Sequence, residues 1–297
     1  MNDRKQHVIK MAHQLFIDKG FQATSIQDIL DYSGISKGTF YNYFSSKNEL
    51  LVALFKTLYK QMEKERNELL IGQDPANIDI FTQQVELQMK MNRKNKLISL
   101  FEEVYFSNDE DLKEFIKRGQ LRILHWIYGR FIDIFGEGKK PYLLDGAIIF
   151  MGILNHNIKY YTMVHGTNAN LQQAVRYSVA RIVKMVEEAA EAGDQLFQPE
   201  LLDSWLPDCR NADEALQQKL SHAILALKKA ASHKEDYPKY IELLDFVQDE
   251  LLHSKKPRQF LIESALLSLQ AEFDDKAALQ KLNQLVADYF TQIEDAD

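Results

Sequence analysis

From Thr24 to Leu51 the chain reads TSIQDILDYSGISKGTFYNYFSSKNELL. This stretch gathers side chains that could hold a phosphodiester backbone and read a base edge. Lys37, Gly38, Thr39, Tyr41, Asn42 and Tyr43 crowd into one short segment that keeps only Phe40, and then Phe44 four residues on, for a core. Hydroxyls and an ammonium suit phosphate oxygens, an asparagine amide suits base edges, and a glycine lets backbone approach closely. Lys47 follows at the start of a helix, where backbone N–H groups also favour phosphate. Catalytic chemistry finds no comparable grouping. G-x-G-x-x-G, the P-loop, G-x-S-x-G and H-E-x-x-H are all missing from the sequence. His222 and His233 lack metal-ligand spacing, and Glu187, Glu188 and Glu191 read as a solvated helix face. Neither an enzyme, nor a metal, nor a cofactor is expected.

The elements that must position these residues read as all-α. Val8, Met11, Ala12, Leu15 and Phe16 share one face of a first helix that Gly20 stops. Thr24 and Gln27 have capping-box spacing for a second, short helix carrying Ile26, Ile29 and Leu30 inward, with Gly34 as its end. That spacing gives Gln27 a structural role that competes with a role on DNA. Ser36 caps a third helix, and Ser46 with Glu49 opens a long fourth one through Met62. Two short capped helices joined by a glycine turn and packed on a first helix make a helix-turn-helix. Beyond a break at Gly72 and Pro75, helical patterning runs from 77 to 106, with a kink or turn at Arg93-Lys94-Asn95-Lys96. Helices over 109–118 and 121–135 follow. After a loop at 136–141 come two long ones, 142–164 and 171–192, and then four amphipathic helices near 213–232, 238–253, 258–273 and 275–293. The alike strings at 223–227 and 265–269 leave open a helical-hairpin repeat beside an ordinary four-helix bundle.

SGISKGTFYNYFSSKNELL resembles the DNA-binding region of the tetracycline-repressor (TetR) family of bacterial transcription regulators, a likeness covering Val8 to about Leu54. Asn42 departs from the family, which often has an aromatic or His there. The resemblance implies a helix-turn-helix DNA-binding domain (1–60), a ligand-binding and dimerisation domain (61–195) and, beyond the usual family length, an extra helical extension (196–297). It implies that Gln27 and Lys37 approach bases, and that Ser25, Thr39, Tyr41, Tyr43 and Lys47 mainly hold phosphates. Tyr41 and Tyr43 also admit a purely structural reading.

The resemblance further implies a homodimer built on the helices at 142–164 and 171–192. Ile148, Ile149, Met151, Gly152, Leu154 and Asn155 cover too wide an arc for one buried face, which agrees in part. A ligand pocket would draw on Phe101, Tyr105, Leu124, Trp126, Tyr128, Phe131, Phe150, His156 and Tyr160, a set that suits a lipophilic or aromatic small molecule. Glu102 and Glu103 point about 100° apart on a helix, so at most one of them faces such a pocket. The expected function is a repressor that binds a palindromic double-stranded DNA operator as a dimer and is released by a ligand. The alternative is a regulator answering to a protein partner through its extension.

A net charge of −7 over 297 residues speaks against a protein that coats nucleic acid. The charge is uneven, however. Residues 1–60 hold eight basic and five acidic side chains, a net +3, which leaves −10 on the rest. An acidic remainder discourages non-specific wrapping and leaves contact to one face. The single cysteine, Cys209, rules out an internal disulfide framework and fits a reducing cytoplasm. The charged N-terminus does not read as a secretory signal, and the longest apolar run falls well short of the ~20 residues of a membrane span.

Overall fold

The computed structural model describes residues 3–105, 109–166, 169–205, 220, 223–224, 226–228, 230–231, 237–253, 257–272 and 276–294. Among them all regular structure is helical. The helices are α1 (Asp3–Lys19), α2 (Ile26–Ser33), α3 (Lys37–Tyr43), α4 (Lys47–Glu68), α5 (Ile78–Lys94), α6 (Leu97–Tyr105), α7 (Glu110–Phe135), α8 (Lys140–His165), α9 (Gln172–Ala192), α10 (Glu200–Trp205), α11 (Tyr237–His253), α12 (Gln259–Glu272) and α13 (Lys276–Glu294). They fall into two compact units. One takes residues 1–66 and 81–196, the other 67–80 and 197–297. Among the described residues no helix is long and apolar enough to cross a membrane.

The first unit is built around α1, whose buried stripe of Val8, Ile9, Ala12, Leu15 and Phe16 meets Ile29, Leu30, Phe40, Phe44 and the inner face of α4. Gly34 makes the turn between α2 and α3. It sits at φ 67°, the left-handed region a glycine enters without strain, and its N–H closes α2 onto Leu30 O at 2.9 Å.

Three expectations need correction. The cap of α2 is Ser25, one residue later than the Thr24 box. Ser25 Oγ accepts Asp28 N–H while the Asp28 carboxylate accepts Ser25 N–H at 2.8 Å. Thr24 is buried and donates its hydroxyl to Gly20 O at 2.7 Å instead. The segments 109–118 and 121–135 are one continuous helix, α7. Gly119 does not break it, because the missing side chain makes room for Tyr59: an added Cβ would lie 2.8 Å from the Tyr59 hydroxyl. Finally, Lys140 and Pro141 open α8 and are not part of the preceding loop. Proline suits a first helical turn, where its absent N–H would be unsatisfied anyway. The expected turn at 93–96 is present, with Lys96 at φ 49° separating α5 from α6.

α8 and α9 pack closely. A Cβ on the buried Gly146 would meet Val186 at 2.7 Å. Inside, Phe81, Phe131 and Phe150 form a cluster of tilted and edge-on rings 5.5–5.9 Å apart. The second unit has its own apolar core, in which Ile224, Leu227, Leu244, Val247, Ile262, Leu269 and Leu282 are fully buried. The strings at 223–227 and 265–269 both contribute inward residues to it. Much of the expected 213–232 helix, with His222, and also His233 and Cys209, lies outside the described residues.

Candidate nucleic-acid interface

Seven residues are too few for a helix to be stable alone, so α3 depends on its cap and its anchors. Ser36 Oγ accepts Thr39 N–H at 3.1 Å. Phe40 and Phe44 are buried with ring centroids 5.7 Å apart, and the Lys5 ammonium lies 4.9 Å over Phe44. This docking leaves Lys37, Gly38, Tyr41 and Asn42 exposed together on the outer face. Tyr41 keeps its ring edge-on to Phe40 at 5.4 Å and is still 46% exposed, so the hydroxyl projects from a fixed base. Thr39 and Tyr43 are half-buried. Thr39 shares a hydrogen bond with Ser36 Oγ at 2.9 Å, and Tyr43 packs partly on the core.

Ser25 and Gln27 are exposed on the first turn of α2. The Ser25 hydroxyl is already used twice, accepting Asp28 N–H at 3.1 Å and donating to Asp28 Oδ2 at 2.6 Å. The Lys19 ammonium at 2.8 Å, followed by the Ser25 hydroxyl and N–H, holds the Asp28 carboxyl well below the usual carboxylate range. The shift of the capping box to Ser25–Asp28 frees Gln27, which donates to Asp31 Oδ1 at 2.7 Å across one turn.

Lys47 is placed differently from the other expected phosphate contacts. Its ammonium donates to Thr24 O at 2.7 Å, Phe21 O at 2.8 Å and Gln22 O at 3.4 Å, and sits 4.4 Å over the Phe21 ring. Three carbonyls match its three protons, so in this structure Lys47 ties the start of α4 to the α1–α2 turn. Burial pulls its pKa below the ordinary lysine value, with the Glu103 charge opposing.

The same turn is held from the other side. Glu103 on α6 accepts Gln22 N–H at 2.8 Å, and Lys96 donates to Ile17 O at 2.9 Å. Glu103 therefore serves the helix-turn-helix. Asn48, beside Lys47, donates to Asp109, whose other oxygen caps α7 by accepting Leu112 N–H at 2.8 Å.

Of the residues expected to line a pocket, Trp126, Phe131 and Phe150 gather around Phe81 at ring-centroid distances of 5.5–5.9 Å, whereas Tyr105, His156 and Tyr160 are exposed. Phe101 packs on Phe55 at 5.3 Å, and its neighbour Tyr105 is 48% exposed. Leu124, Tyr128 and Phe150 are core. His156 and Tyr160 lie on the outer face of α8, where His156 Nδ1 is 2.9 Å from Gly152 O. At 100° per residue, positions six and ten beyond Phe150 lie about 120° and about 80° round the helix from it. A surface pocket of about 500 Å³ lies instead at the start of α9, lined by Asn170, Gln172, Gln173, Arg176 and Tyr177.

The sequence reading also missed a buried polar network. Arg66 Nη1 donates to Gln88 Oε1 at 2.9 Å, and its guanidinium lies 4.0 Å over Trp126. Gln84 donates to Arg66 O at 2.8 Å and accepts Arg130 Nε at 3.0 Å, while Arg130 Nη1 reaches Asp133 at 2.6 Å. Its trace in the sequence is two glutamines, four residues apart, on the same side of α5 as Phe81 and Val85.

A capped α2, a glycine turn and an anchored α3 with a polar outer face define a helix-turn-helix DNA-binding protein. Residues 8–54 match the family model of bacterial regulatory proteins of the tetR family, so the chain carries the DNA-binding domain of a TetR-type transcriptional regulator. It is 25% identical over 291 residues to YerO, an uncharacterized HTH-type transcriptional regulator of Bacillus subtilis (strain 168), covering 96% of each chain. The similarity therefore runs through the C-terminal extension. A second such regulator from that organism, YuxN, is 25% identical over 66% of this chain and 68% of its own length. The HTH-type transcriptional repressor KstR2 of Mycobacterium tuberculosis (strain ATCC 25618 / H37Rv) is 34% identical over 56 residues, 19% of this chain and 28% of its own. No solved structure gives a significant match.

Proposed function

We propose that this regulator is a repressor that binds a palindromic operator as a dimer and leaves it when a small ligand binds the first unit. The observation that carries the DNA reading is the outer face of α3: Lys37, Gly38, Tyr41 and Asn42 are exposed side by side on a helix fixed by Phe40 and Phe44. Lys37, Asn42 and Gln27 read bases. Tyr41, Thr39, Tyr43 and Ser25 hold phosphates, and Gly38 permits close approach. Lys47 acts one step back, by setting the α1–α2 turn. Release follows if ligand binding favours a state in which α6 and α7 draw on their bonds to that turn and to α4, through Glu103, Lys96 and Asp109. The shift is limited to the ligand's differential affinity for the two states.

Operator sequences selected from random DNA, followed by gel-shift titration of variants, test this reading. Tyr41→Phe is expected to weaken binding by about ten-fold on every sequence. Lys37→Ala and Gln27→Ala are expected to change base preference, at about 1–3 kcal/mol per lost base contact. Lys47→Met is expected to weaken binding broadly without lowering its salt dependence, because no phosphate contact is lost. Unchanged binding in all four variants would refute the assignment of this face.

A second reading, control by a protein partner through the extension, is favoured by one observation: the C-terminal unit has an apolar core of its own among the described residues. Deletion of 207–297 discriminates. A truncated protein that still dimerises, binds operator and responds to ligand leaves the extension to a partner, whereas loss of dimer or operator affinity assigns it to the regulator's own assembly.

A further inference from the structure

We propose that the polar network between α4, α5 and α7 is a recognition site for a carboxylate-bearing ligand with an aromatic body, with Arg66 as the group that takes the carboxylate. This rests on the reading of the first unit as a ligand sensor and specifies the ligand's charge.

Arg66 is only 7% exposed, and its buried Nε–H has no acceptor. The one hydrogen bond its guanidinium makes among the described residues goes to a neutral amide, that of Gln88. The acid whose charge it feels is Glu63, an exposed residue three positions back. Burial brings the guanidinium's pKa down to about 10, which leaves it cationic at neutral pH. A second guanidinium, Arg130, is 4% exposed in the same network and is also oriented by a glutamine. Its carboxylate partner, Asp133, is 40% exposed and so only partly cancels it. Gln88 thus fixes the Arg66 guanidinium in place without neutralising it, and Gln84 joins Arg66 to Arg130.

Burying a charge without a counter-charge is costly, and a buried donor left unpaired adds to that cost. An entering carboxylate would relieve both, since Nε–H and a terminal N–H of one guanidinium form the fork that a carboxylate matches. The body of the ligand is set by the neighbours. Trp126 covers the guanidinium face and lies 5.9 Å from Phe81, which leads into the Phe131 and Phe150 cluster. Trp126 is half-buried, so the ring that covers Arg66 also reaches solvent.

Calorimetric titration of the full-length protein with 2-naphthoate and with its neutral counterpart 2-naphthamide tests the proposal. One naphthoate per protomer is expected, bound about 10- to 100-fold more tightly than the amide, as hydrogen bonds to a charged group imply. Arg66→Gln is expected to abolish that preference and Arg66→Lys to keep part of it, because lysine retains the charge but not the fork. Both variants should keep wild-type circular dichroism and operator affinity without probe, so a folding defect would be visible. Equal affinity for acid and amide, no binding of naphthoate, or a preference that survives Arg66→Gln overturns the proposal. If the operator is still bound in those cases, only the ligand assignment fails; loss of operator binding by the wild type would instead refute the regulator reading beneath it.

Discussion

Phe40→Ala is expected to abolish operator binding and to lower the stability of the first unit by about 3–5 kcal/mol, the range for truncating a buried aromatic. Phe40 is fully buried, with Tyr41 and Phe44 at 5.4 and 5.7 Å, and it anchors a helix of seven residues. Its removal takes away most of what holds α3 on the core while leaving every proposed DNA-contacting side chain in the sequence. Phe40→Leu, which restores most of the apolar volume, should recover most of the stability and part of the affinity. Chemical denaturation followed by gel shift at a temperature where the variant is folded separates the two effects. A folded Phe40→Ala protein with wild-type affinity would mean that the docking of α3 does not set the interface.

What the sequence made legible was whatever rests on local rules. The pairing of Phe40 with Phe44, the Ser36 cap and the Gly34 turn each follow from spacing within one or two helical turns, and the structure places them as expected. The α2 cap missed by one residue because Thr24 and Ser25 are both good cap formers. Asp28 decided between them by reaching back to Ser25, and burial took Thr24 out of the competition. Residues whose roles depend on distant partners were not legible. Lys47 contacts carbonyls 23 to 26 positions away, and Glu103 reaches back 81 positions to Gln22. The Arg66 network joins three helices through side chains that, taken singly, read as ordinary surface arginine and glutamine. The scattered aromatics show the same limit: helix phase told which residues share a face but not which neighbour that face meets, so Phe150, buried, and Tyr160, about 80° round α8 from it and exposed, have different surroundings.

The outer side of α8 carries the second large prediction. Ile149, Gly152, His156, Tyr160 and Met163 are all exposed at 3- and 4-residue steps and form one stripe. On the neighbouring α9, Tyr177 and Met185 are exposed as well. Met163 is 70% and Val164 77% exposed, more apolar surface than one folded helix end should leave to water. In a two-fold dimer the same stripe faces its own copy, so a single charge substitution is presented twice at the axis. Ile149→Glu is therefore expected to convert the proposed dimer to monomers at micromolar concentration in sedimentation velocity. Thermal stability of the protomer should change little, because Ile149 is already 39% exposed within it. Operator affinity is expected to fall by about 10²–10⁴-fold, the contribution of linking two half-site contacts, while weak binding to a single half-site persists. Ile149→Gln, which adds polarity without charge, should fall between the two. A wild-type protein that sediments as a monomer while binding a palindrome, or a glutamate variant that stays dimeric, would move the interface off α8 and leave the spacing of the two recognition helices to other surfaces of the chain.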